Sequence, residues 1–108
     1  MVQIIDKILT DLGIECYYIS TENIEPTGDY IKYNFRSSGE VYANNEEVRR
    51  QYIVYINYFI VKAQTIESKI ETLNKELRKN NFLNRGEIIT MKDSTGYYNT
   101  SLQFKFYK

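Results

Sequence analysis

Ile4, Ile5, Ile8, Leu9 and Leu12 recur at spacings of three and four near the start of the chain, with polar residues between them. That period belongs to one face of a helix, so it predicts a first helix over Val2 to Leu12, ended by Gly13 in a left-handed conformation. Ser20 to Asp29, with Pro26 and Gly28, reads as a loop long enough to form a surface arm. From Tyr30 to Arg36 the period shortens to two: Ile31, Tyr33 and Phe35 alternate with Lys32, Asn34 and Arg36, as in a half-buried strand. Ser37, Ser38 and Gly39 suggest a turn into a short strand, Val41 to Ala43.

Glu46 to Val61 carries apolar or aromatic residues on both parities, the pattern of a strand buried on both faces. At about 3.3 Å per residue it would reach on the order of 50 Å, so a bulge or an overhang past the domain is expected. Thr65 is placed to cap a second helix, with Ile66, Ile70, Leu73 and Leu77 as its apolar stripe and Asn80 and Asn81 as its stop. Glu87 to Lys92 reads as a short strand and Asp93 to Gly96 as a turn. Tyr98 to Phe106 reads as a last strand with Leu102, Phe104 and Phe106 on one face. The predicted order is α-β-β-β-α-β-β. It implies one α+β domain over residues 1–108: an antiparallel or mixed sheet of four to five strands with two helices on one face.

Composition narrows the function classes. The chain has 108 residues, enough for one core, and its 14 Lys and Arg balance its 14 Asp and Glu. No global field draws it to nucleic acid or an anionic bilayer, so any charge-driven role is local. The longest apolar runs, Ile53 to Ile56 and Tyr58 to Val61, fall far short of a membrane span. Asp6, Lys7 and Asp11 interrupt any signal-peptide core, so synthesis in the cytoplasm is expected. Cys16 is the sole cysteine, which excludes an intrachain disulfide and reads as a small semi-buried apolar residue.

Histidine is absent, which removes imidazole-based triads and the usual zinc sites. Carboxylate pairs exist at Asp11 with Glu15 and at Glu46 with Glu47, but adjacent strand residues point to opposite faces, and both pairs read as solvated surface. The five glycines are scattered singly, without the spacing of a phosphate loop or a dinucleotide fingerprint, so no cofactor is expected. Asn99-Thr100-Ser101 fits a glycosylation sequon but falls inside a predicted strand. Arg49 and Arg50 open the long strand, where at least one is expected at the surface. It is available for an ordinary ion pair, a subunit contact or a phosphate. Of the 11 tyrosines, Tyr33, Tyr52 and Tyr58 fit core positions, whereas Tyr17, Tyr18, Tyr42, Tyr55 and Tyr97 are the surplus suited to a protein interface. Aromatics interleaved with arginine also fit nucleic-acid stacking, against which the neutral net charge speaks.

The second half of the chain carries a wider pattern. Its long strand opens Arg49-Arg50-Gln51-Tyr52-Ile53-Val54-Tyr55-Ile56, followed by an amphipathic helix, Asn81-Phe82, a short strand, and Asp93 to Tyr98 leading into Leu102-Gln103-Phe104-Lys105-Phe106. With the first helix and hairpin, this order resembles the tail terminator, or tail completion, proteins of bacteriophages and phage tail-like particles, over nearly the entire chain. The resemblance implies a virion structural subunit in the tail or neck. It would form a homo-hexameric ring on the head-proximal end of a tail tube, stopping tube growth and docking the neck or head-tail connector. It brings no catalytic residues, metal or cofactor and no specific nucleic-acid binding, although DNA would pass through the ring's lumen. No strongly charged run marks that lumen, so the inner surface has no assignment from sequence. Another neck or minor tail protein, or a small monomeric binding module for nucleic acid or regulation, are the alternative readings. A carboxylate- or tyrosine-based enzyme is the remotest.

Overall fold

The computed structural model describes residues 2–18, 28–43 and 46–107, with the side chains of residues 38–50 outside the description. Helix α1 (Val2–Asp11) leads into strand β1 (Glu15–Tyr18). Strands β2 (Tyr30–Ala43) and β3 (Glu46–Ile60) follow, then a 3-10 turn (Ala63–Thr65) and helix α2 (Ile66–Lys79), and β4 (Leu83–Asn84), β5 (Ile89–Lys92) and β6 (Tyr98–Tyr107) complete the chain. It is an α+β fold. The six strands form one mixed sheet in the order β1-β2-β3-β6-β4, with β5 also paired to β6, and all pairs are antiparallel except β1 with β2.

Both helices end the same way. At α1, Gly13 (φ 74°) donates to Thr10 O and Ile14 to Leu9 O, each at 2.9 Å. At α2, Asn81 (φ 71°) donates to Arg78 O and Phe82 to Leu77 O. These are Schellman closures, in which a left-handed residue satisfies the last carbonyls and the next apolar residue folds back over the helix. Phe82 accordingly joins the buried core that includes Leu77 and Leu9, and Ile14, partly buried, packs against it. Thr65 stands at the N-cap of α2, but its hydroxyl does not cap the helix. The preceding 3-10 turn holds its backbone in the α region, and Oγ1 donates back to Lys62 O at 2.8 Å.

The core lies between the helices and one face of the sheet. Ile5, Ile8 and Leu9 of α1 and Ile70, Leu73 and Leu77 of α2 meet Ile31, Tyr33, Val54, Ile56, Leu102 and Phe104 from the three longest strands. Register explains the match: Tyr33 lies opposite Ile56, and Ile56 opposite Leu102, so like parities line up across the sheet.

Three sequence expectations need correction. Ser37, Ser38 and Gly39 do not form a turn, and Val41 to Ala43 is not a separate strand, because all belong to β2. The ladder adds one extra residue at Glu40 and one at Val48, two bulges that cancel and restore the register. A glycine beside a bulge reads as loop composition although pairing continues through it. Secondly, β1 and β4 were not foreseen, being too short for a periodic signal. Thirdly, β3 has a helix layer on one face only. On the other, Ile53 is buried while Tyr55 and Phe59 are half-buried, and no element among the described residues forms a second layer.

The expected overhang is present. Gln51, opposite Tyr107, is the last residue of β3 paired to β6, and β1 leaves β2 after Tyr33. Beyond these points β2 and β3 continue as a two-stranded ribbon with no third strand among the described residues. The longest dimension is 52 Å and the radius of gyration 15.0 Å, against about 13 Å for a compact chain of this length.

Candidate assembly and contact surfaces

The ladder registers build the sheet face turned away from the helices, row by row. Tyr30, Phe59 and Asn99 form the first row; Lys32, Asn57 and Ser101 the second; Asn34, Tyr55 and Gln103 the third; Arg36, Ile53 and Lys105 the fourth. At one end Tyr30 stacks on Phe59 with centroids 4.6 Å apart, and Tyr17 and Tyr97 meet Tyr30 edge-on at 6.3 and 5.3 Å. Tyr97 also donates its hydroxyl to Gly28 O at 3.3 Å. Further along, Arg36 lies over the Tyr55 ring at 5.9 Å and Lys32 over Phe59 at 5.8 Å.

The structure thus gathers three of the surplus tyrosines, Tyr17, Tyr55 and Tyr97, on or beside this face. Tyr18 is on the other face, against Tyr33 and Phe35 at the β1 edge. Arg49, Arg50 and Tyr42 belong to the ribbon, opposite Val41, Gly39 and Glu47, and their side chains lie outside the described residues. Most of the expected arm from Ser20 to Asp29 does as well. Its described end, Asp29, pairs with Lys69 and accepts the Val61 N–H at 2.9 Å, tying the strand approach to α2. Tyr33 and Tyr58 are buried in the core and Tyr52 is half-buried.

At the β4–β5 edge the rows of the face turned away from the helices continue into apolar side chains: Leu83 lies beside Lys105, Ile89 beside Ser101 and Met91 beside Asn99. Leu83, Ile88, Ile89 and Met91 are 54, 45, 51 and 68% exposed, and every residue of β5 faces solvent. An exposed apolar edge strand is a template for pairing with another chain. Sequence reading missed this, because four residues with a Thr and a Lys give no signal of which side of the strand lacks a neighbour.

Chemistry inside the fold is sparse. Between the end of α1 and α2 lies a cavity of about 290 Å³ lined by Gly13, Asp29, Tyr58, Lys69 and Thr72, where the Asp29–Lys69 pair neutralises itself. Burial pushes the Tyr58 hydroxyl above its ordinary pKa. Cys16 Sγ is 3.6 Å from Asp6 Oδ1, and burial first, then the Asp6 carboxylate, pushes the thiol up to about 11. Among the described residues no group of three or more Cys, Asp and Glu side chains converges on a metal site, and no helix is long and apolar enough to cross a membrane. In the sequon, Thr100 is fully buried in β6.

No family model matches this chain, and a search of curated proteins returned no match.

Proposed function

We propose that this chain is a structural subunit that caps the head-proximal end of a bacteriophage or phage-like tail tube. It would do so as a homo-hexameric ring, ending tube growth and offering a docking surface to the neck and head connector. The observation that carries this reading is the β2–β3 ribbon, which continues past the last partner of β3 on β6. Among the described residues the ribbon has no third strand, and a two-stranded ribbon by itself is marginal in water, so its length makes physical sense where a neighbouring subunit completes it. The apolar edge of β4 and β5 supplies a different surface on the same chain. Two unlike surfaces make head-to-tail contacts, which close into a ring when the rotation between subunits permits.

Light scattering over a range of concentrations, with and without tube protein, tests the subunit reading. The expected result is a particle of about six chains, formed alone or on the tube. A chain that stays monomeric throughout and never associates with tubes overturns it. Adding the protein to polymerising tube protein separates a terminator, which shortens the tubes, from another neck or minor tail protein, which leaves their length unchanged. Electron microscopy of particles carrying labelled protein then locates it along the tail.

A further inference from the structure

A neutral chain can still carry a charged face. On the open side of the sheet stand Lys32, Arg36 and Lys105, and the only carboxylate on the same rows among the described residues is Glu15 at the β1 corner, where it accepts the Tyr17 hydroxyl. Among the described residues none of the three cations has an ion-pair partner. Lys32 and Arg36 rest instead over the Phe59 and Tyr55 rings, contacts that hold a cation in place without cancelling its charge. Arg36 and Lys105 share a row two strands apart, about 10 Å, and Lys32 lies about 13 Å from Arg36 along β2, far enough apart to engage separate phosphates. Between them, Ser101 donates to Asn57 Oδ1 at 2.9 Å, which leaves the Asn57 amide N–H donors for a further acceptor.

We infer that this face binds the phosphate backbone of double-stranded DNA without reading its sequence. Charge complementarity selects a polyanion, and amide donors beside cations are the groups that contact phosphate oxygens. Duplex is favoured over single strand because bases of a single strand need open rings to stack on, and two of the rings here already lie under cations. The inference rests on the tail-cap reading only in giving the ring's lumen an occupant; the charge and register that carry it belong to the single chain.

Fluorescence anisotropy with a labelled 30-base-pair duplex and the full-length chain tests it. Affinity should fall with salt, with a slope of log K against log salt of roughly −2 to −3 per chain for three neutralised phosphates. Combining Lys32→Gln, Arg36→Gln and Lys105→Gln should weaken binding at least tenfold at low salt, and each single change should reduce the slope by about 1. Lys75→Gln with Lys79→Gln, on the solvent side of α2, should leave binding within twofold. Circular dichroism checks folding, and the single variants carry the test if the triple variant does not fold. The inference is overturned by absent or salt-independent duplex binding, by sheet-face variants that bind like the parent, or by tighter binding to a single strand. Tighter binding to polyglutamate than to duplex also overturns it and marks the face for an acidic protein. DNA binding by a strictly monomeric chain preserves this inference and removes the tail-cap reading, whereas a tube-capping oligomer that ignores DNA does the reverse.

Discussion

Tyr33 reaches from β2 to α1, where its hydroxyl donates to Asp6 Oδ1 at 2.5 Å, and Cys16 approaches the same oxygen from β1. Burial and the Asp6 carboxylate raise both acids: Cys16 to about 11, Tyr33 well above its ordinary value. A group whose folded pKa is raised contributes stability that is complete below its unfolded pKa and lost as pH rises through the folded one. Urea midpoints should therefore hold steady to about pH 9 and then fall as Cys16 and next Tyr33 are forced to ionise; Cys16→Ala should remove the earlier part of the fall. At pH 7.5 Cys16 should react with a disulfide reagent at least tenfold more slowly than a free thiol. Its thiolate fraction is roughly a hundredfold smaller, and the greater nucleophilicity of a more basic thiolate offsets only part of that. Asp6→Asn should speed the reaction. Phe82, which follows the left-handed Asn81 at the end of α2, is fully buried and stacked on Phe106 at 4.6 Å. Phe82→Ala should cost about 3–5 kcal/mol in chemical denaturation.

At the scale of elements, the helix ends decide how each helix hands the chain to the sheet. Gly13 sits at φ 74° with open space where a Cβ would go, so the penalty for replacing it is conformational and not steric. Gly13→Ala should lower stability by about 1–2 kcal/mol, read from the shift in denaturation midpoint. The hairpin after β5 is held by Asp93, whose Oδ1 accepts the Thr95 hydroxyl at 2.5 Å and the N–H groups of Thr95 and Tyr97. Those bonds, the Thr95 hydroxyl first, hold its carboxyl below the usual range, so the turn should loosen only as pH falls through that lowered pKa. Asp93 to Gly96 was legible as a turn because Asp and Gly serve it locally. Ser37 to Gly39 misled because the same residue types also serve a bulge, and only the ladder to β3 distinguishes the two.

For the whole molecule, the apolar β4–β5 edge is exposed, and the ribbon has no third strand among the described residues; under the proposed assembly these are the surfaces a neighbour would cover. Ile89→Lys with Met91→Lys should weaken self-association measured by sedimentation or light scattering. Stability of the monomer should stay within about 0.5 kcal/mol, since both residues are exposed. An unchanged oligomer would remove this edge from the assembly interface.

Helix periods, the alternation along Tyr30 to Arg36 and Tyr98 to Phe106, and the excess length of Glu46 to Val61 were enough to determine the α+β class, most core residues and the overhang. Side-chain period follows from local backbone geometry. Tertiary structure alone decided which side of each strand lacks a neighbour, and that the short β1 and β4 join the sheet, because pairing is a long-range event. It also decided the charge map. Lys32, Arg36 and Lys105 look like ordinary members of a balanced chain, and only the registers of β2, β3 and β6 place them on one face with, among the described residues, a single carboxylate at its corner.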